Sequence, residues 1–175
     1  MYDENQRYWT ILARVKGVRR NILFDAVKTA VATNGADGAK ALVKGELSVS
    51  DKLRKAITEV SIAEVDKELK EAERSSASIV TYGDQGYPEM LRFIPSPPLT
   101  LYVKGSIDKF NGSSSVAIVG TRRASSYGRN MAEKIAEGLA DSGITIVSGL
   151  ARGCDSAAHK GALLSKTNDF PTVAV

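Results

Sequence analysis

The chain has 175 residues, 43% hydrophobic and 25% charged, with a formal net charge of +4, the composition of an ordinary globular protein of one or two domains. Its single cysteine, Cys154, and single histidine, His159, exclude an internal disulfide framework and a Cys/His zinc site. No apolar run approaches the roughly 20 residues that span a bilayer, and the opening MYDENQRYW carries acids where a secretory signal carries cations, so a reduced, cytoplasmic setting is expected.

Residues 1–74 read as a small helical domain. Trp9, Ile11, Leu12 and Val15 stand at helical spacing before Gly17, and Ile22, Leu23, Ala26, Val27 and Ala30 keep the period up to Asn34-Gly35. Ser50 opens a run through Leu53 and Ile57. Ser61 with Glu64 has the capping-box spacing for a helix ending near Arg74. Lys16, Arg19 and Arg20 flank a Gly-Val turn, which reads either as solvated surface charge or as a helix-hairpin-helix contact to DNA.

Residues 75–115 read as a connecting segment with short strands. Ile79 to Tyr82 has strand composition, Tyr87-Pro88 can begin a short helical turn carrying Met90, Leu91 and Ile94, and Leu99 to Lys104 reads as another strand. The stretch 111–115 is a Gly/Ser joint of the kind found between modules.

From residue 116 the pattern becomes strand, helix, strand, helix, strand. Val116 to Val119 is an apolar run suited to a buried parallel strand, and Met131, Ile135, Ala136 and Leu139 mark the expected core face of the next helix. Ile144 to Val147 repeats the strand signal, residues 154–165 read as a second helix, and Thr172 to Val175 begins a third strand. The expected fold class is therefore α/β, a helical domain followed by part of a Rossmann-like parallel sheet over 116–175. The sequence stops inside that third strand, so a fragment of a longer protein is expected.

Ligands of open parallel sheets bind where strands end and loops lead into helix N-termini. The first such loop runs Gly120-Thr121-Arg122-Arg123-Ala124-Ser125-Ser126-Tyr127-Gly128, and the second runs Ser148-Gly149-Leu150-Ala151-Arg152-Gly153-Cys154-Asp155. Glycines let backbone N–H groups approach an anion, and guanidinium forks suit phosphate oxygens. The region 116–132 holds Arg122, Arg123 and Arg129 and no acid. Gly120, Gly149 and Gly153 read equally as turn or close-packing residues. Arg123 and Arg129 read equally as solvated, Asp155 reads as a helix cap, and Cys154 as a small buried side chain. His159 has no nucleophile or carboxylate pattern beside it and reads as packed or hydrogen-bonded. Arg122 stands where the dinucleotide fingerprint needs its second glycine, and no Walker-type loop occurs. No cofactor or metal is expected.

Taken together, YPEMLRFIPSPPLTLYVKG, VAIVGTRRASSYG and IVSGLARGCDSAAHKGAL resemble, in order and spacing, the DprA/Smf family of DNA-processing proteins. The likeness covers about residues 79–175. The helical front is only loosely similar to the family's sterile-alpha-motif-like or helix-hairpin-helix domain. The resemblance implies an extended Rossmann fold that binds single-stranded DNA, forms a homodimer and helps load a RecA-type recombinase during natural transformation, without enzymatic activity. Carried over by motif, the family's Gly-Ser-Arg signature falls on Gly120, Thr121 and Arg122, with threonine in place of serine, and its Ser-Gly-x-Ala-x-Gly-x-Asp signature on Ser148, Gly149, Ala151, Gly153 and Asp155. Cys154 stands where an aliphatic residue is common. The expected nucleic-acid-binding residues are Gly120, Thr121, Arg122, Arg123, Tyr127, Gly128, Ser148, Gly149, Arg152, Gly153 and Lys160. The dimer surface and further basic residues are expected beyond Val175. The alternative is a Rossmann-like nucleotide-processing enzyme of the nucleoside-monophosphate phosphoribohydrolase type, although that family's P-G-G-x-G-T-x-x-E motif does not occur in these residues.

Overall fold

Asp3 starts the first helix with a reciprocal capping box: its carboxyl accepts the Gln6 N–H at 2.7 Å, and the Gln6 side chain accepts the Asp3 N–H at 3.0 Å. This computed structural model describes residues 2–175, which fall into two units, one ending at Asp108 and the other running from Lys109 to Val175.

In the first unit, helices α1 (Glu4–Ala13), α2 (Arg20–Asn34), α3 (Gly38–Lys44), α4 (Asp51–Thr58) and α5 (Ile62–Arg74) precede an antiparallel ribbon of β1 (Ser78–Thr81) and β2 (Thr100–Val103). The expected breaks fall where glycine permits them: Gly17 and Gly35 have φ of 76° and 57°. Trp9, Leu12, Val27, Leu42, Leu53, Val65 and Leu69 form the core, and Tyr82, Tyr87 and Leu99 from the ribbon segment complete it. Each large apolar side chain so buried contributes about 1.5–3 kcal/mol. Between the strands, a 3-10 turn (Glu89–Phe93) carries Arg92. Its guanidinium lies 4.8 and 4.9 Å from the Tyr82 and Tyr87 ring centres and donates to the carbonyls of Tyr82 and Asp84.

At Ser61 only half of the expected capping box forms. Ser61 accepts the Glu64 N–H, but the Glu64 carboxyl turns to Arg14 at 2.8 Å. A charge partner from α1 replaces the local backbone donor.

In the second unit, β3 (Ser115–Ala117), α6 (Ser126–Asp141), β4 (Thr145–Ser148), α7 (Cys154–Ala162) and β5 (Thr172–Ala174) form a parallel sheet in the order β3-β4-β5. Val116 pairs with Ile146, and Ile146 with Thr172. This is the expected helical front followed by a parallel α/β sheet. Both helices cover one face of that sheet, because Ile146 packs into one cluster with Ala136 and Ala140 of α6 and Ala158 and Ala162 of α7. β3 begins a residue earlier and ends earlier than the run Val116 to Val119 suggests, though Ile118 still donates its N–H to the Val147 carbonyl.

The core face of α6 differs from expectation. Ala132, Ala136 and Ala140 are buried, whereas Met131 and Ile135 are 37% and 49% exposed. The cause is the partner helix. A Cβ added at Gly161 of α7 would lie 2.0 Å from the Glu133 carbonyl oxygen, so the two backbones approach so closely that only small side chains fit between them. α7 also ends at Ala162 rather than at residue 165.

Candidate nucleic-acid interface

Both candidate loops leave the carboxyl edge of the sheet and touch each other through backbone. Gly153 has φ of 92°, and a Cβ there would sit 2.3 Å from the Thr121 carbonyl oxygen and 2.8 Å from that of Arg122. Its neighbour Cys154 donates its N–H to the Thr121 carbonyl at 3.3 Å. At Gly120 a Cβ would lie 2.4 Å from the Cys154 sulfur. Gly149 presses on Asp155 in the same way, with a Cβ falling 2.8 Å from Oδ2. Close packing thus occurs at each of these three glycines, and it sets how the loops are held.

Arg122, Arg123 and Tyr127 are exposed on the first loop, as is Arg152 on the second. None of these arginines has an ion-pair partner among the described residues, although Arg7, Arg14, Lys109 and Lys160 do. The Thr121 hydroxyl accepts the Arg123 N–H at 3.1 Å, a local turn that bends the chain at Arg122. Arg129 lies exposed on the surface of α6, and donates to the Ala124 carbonyl and, at 3.3 Å, to Ser126 Oγ, bracing the loop from the helix.

Other residues of the expected interface also bond within the protein. Ser125 caps α6 and accepts the Gly128 N–H at 3.1 Å, so that amide is occupied. Ser148 is buried and donates its hydroxyl to the Ile118 carbonyl at 2.6 Å, tying the ends of β3 and β4 together. Lys160 pairs with Glu133 at 3.2 Å. The loops are thus propped by Gly120, Gly128, Ser148, Gly149 and Gly153, and they present Arg122, Arg123, Tyr127 and Arg152 to solvent.

Asp155 does not cap α7. The N-cap position is Gly153, with no side-chain cap, and Asp155 lies in the first turn, 8% exposed. Its backbone conformation is already helical, so its side chain turns in beneath the loop instead of back to the helix amides. His159, one turn on, is buried as expected, with Nδ1 2.7 Å from Thr172 Oγ1 and Nε2 3.3 Å from the Gly149 carbonyl oxygen. Cys154 is half-buried rather than fully so. The described residues contain no cluster of three or more groups able to hold a metal ion and no helix long and apolar enough to cross a membrane.

A three-stranded parallel sheet with two interlocked glycine loops and exposed guanidiniums at its carboxyl edge defines a Rossmann-like α/β protein. The chain belongs to the DNA recombination-mediator protein A family, which matches residues 78–175. Protein Smf of Synechocystis sp. is 33% identical over 168 residues, covering 93% of this chain and 42% of the relative. DNA processing protein DprA of Streptococcus pneumoniae is 43% identical over 94 residues, 53% of this chain and 31% of the relative. The X-ray structure of DNA processing protein A (DprA) from Streptococcus pneumoniae superposes with a TM-score of 0.67 at 25% identity, covering 100% of this chain and 58% of that one. The DprA/Smf resemblance is borne out, and the chain spans less than half the length of these curated relatives.

Proposed function

We propose that this chain carries the phosphate-gripping part of a non-enzymatic, cytoplasmic single-stranded DNA-binding protein that delivers the strand to a RecA-type recombinase during natural transformation, acting as a homodimer in its complete form. The observation that carries the reading is that Arg122 and Arg123 have no ion-pair partner among the described residues and stand on a loop packed against Gly153 and Cys154. Guanidiniums held on a rigid support, with no carboxylate to neutralise them, are available to phosphate oxygens without loss of an internal ion pair. Tyr127, 75% exposed at the start of α6, offers a face on which an unpaired base can stack. The names of the relatives, which include the words DNA processing, agree with a polynucleotide ligand.

The test is binding of fluorescent single-stranded and double-stranded oligonucleotides to the intact protein across a salt series. The reading expects preference for the single strand and a steep fall in affinity with ionic strength, because binding releases counterions. Equal affinity for both forms, or affinity indifferent to salt, rejects it.

A further inference from the structure

The short segment that carries Arg122 and Arg123 is held at both ends. On one side the Thr121 carbonyl accepts the Cys154 N–H at 3.3 Å. On the other side one residue, Arg129, gathers three consecutive positions. Its backbone N–H bonds the Ser125 carbonyl at 3.0 Å, and its guanidinium donates to the Ala124 carbonyl and, at 3.3 Å, to Ser126 Oγ. The Ala124 carbonyl has a use for that donor. Ala124 is buried, and the amide one helical turn on, that of Gly128, is given to the Ser125 hydroxyl at 3.1 Å.

Charge alone makes Arg129 a third phosphate contact beside Arg122 and Arg123. All three stand in the acid-free stretch 116–132, all are exposed, and none has an ion-pair partner among the described residues. Geometry separates them. The guanidinium of Arg129 is turned onto the backbone of the loop, and turning it to a phosphate releases the Ala124 carbonyl, so that the bond lost offsets the bond gained. Left in place, it fixes the end of the segment that the contact with Cys154 leaves free. A loop ordered beforehand spends less of its binding free energy on ordering when a ligand arrives.

We propose that Arg129 is a positioning residue for strand binding: it holds Ala124 and Ser126 so that Arg122 and Arg123 meet phosphates from a loop already in shape, and it makes no phosphate contact of its own. The inference rests on the single-strand reading above and deepens it, dividing these three arginines into two that grip and one that holds.

The experiment compares the intact protein with Arg129→Lys, which keeps the charge but offers one nitrogen in place of the fork that reaches Ala124 and Ser126 together. Single-strand affinity is measured across a salt series, and trypsin cleavage after Arg122 and Arg123, located by mass, reports how often the loop opens. Arg129→Lys is expected to bind about fivefold more weakly, the size of one lost hydrogen bond, with the slope of log affinity against log salt unchanged. Cleavage at the two arginines is expected to quicken by about the same factor while the thermal midpoint holds, because the side chain is exposed. Arg129→Gln serves should the lysine variant fail to fold: weaker binding at the original slope supports the proposal, and a slope flattened by about 1 marks a phosphate contact and overturns it. Original affinity in Arg129→Lys, or an unchanged cleavage rate, also overturns it and leaves the single-strand reading standing. Absence of binding to any strand by the unsubstituted protein at low salt overturns both.

Discussion

Gly153 and Thr121 meet so closely that the carbonyl oxygen of one occupies the space where the other would carry a side chain, 2.3 Å from the Cβ position. The contact joins the two loops that sequence alone treats as separate, and it ties the position of Arg122 to a residue 31 places later in the chain. Gly153→Ala therefore combines a left-handed backbone penalty with overpacking against Thr121 and Arg122, and is expected to cost at least about 2 kcal/mol. Thermal unfolding measures the loss, and strand binding is expected to weaken with it.

Gly161 holds a comparable place between the two helices, its Cβ position 2.0 Å from the Glu133 carbonyl oxygen. Gly161→Ala is expected to push α6 from α7 and destabilise the second unit by about 1–3 kcal/mol. Urea denaturation reads it. An unchanged midpoint would contradict the close approach of the helices.

Much of this architecture is legible in the sequence. The apolar runs around Val116 and Ile146, with Gly143 and the two glycine loops, specify alternating parallel strands and helices without reference to a partner. The core face of α6 is not legible in the same way. Met131 and Ile135 are the more hydrophobic residues, yet alanines line the contact, because the spacing of two helices depends on Gly161, 28 positions after Glu133. The same holds for charge. Nothing local marks Lys160 as the partner of Glu133, Arg129 as a brace for Ala124, or Arg122 as unpaired, since each outcome depends on which carboxyl or carbonyl groups the fold brings near. Asp155 has the sequence signature of a cap, and only the position of Gly153 as the actual N-cap turns it inward.

In the first unit, Tyr87 is buried and donates its hydroxyl to the Pro98 carbonyl at 2.7 Å, and burial pushes its phenol up to about 12. A folded-state value above the ordinary one near 10 gives stability that is complete below pH about 10 and lost as pH rises toward 12, on the order of 2–3 kcal/mol. Tyr102, raised by burial and by its bond to Glu68, adds to the same loss. Urea midpoints between pH 8 and pH 11 are expected to fall, and to fall less in Tyr87→Phe, which itself costs about 1 kcal/mol at pH 8 by orphaning the Pro98 carbonyl.

Arg7 meets Asp66 through two bonds, Nε to Oδ1 at 2.7 Å and Nη2 to Oδ2 at 2.9 Å, and holds that carboxyl below the usual carboxylate range. A lowered value gives stability that is present above the ordinary carboxylate range and lost as pH falls through the folded value. Both partners are about one-third exposed, so the contribution is under about 1 kcal/mol. Asp66→Asn is expected to reduce the acid-side loss of the urea midpoint and leave the alkaline side unchanged.

The availability of Arg122 to a phosphate backbone is tested most directly by measuring single-strand affinity of Arg122→Ala and unsubstituted protein at several salt concentrations. Stability is expected to change by less than about 0.5 kcal/mol, because the side chain is exposed and has no ion-pair partner among the described residues. Affinity is expected to drop for every sequence alike, and the slope of log affinity against log salt to flatten by about 1. An Arg122→Ala variant that folds normally and binds with the original affinity and salt slope would contradict the account.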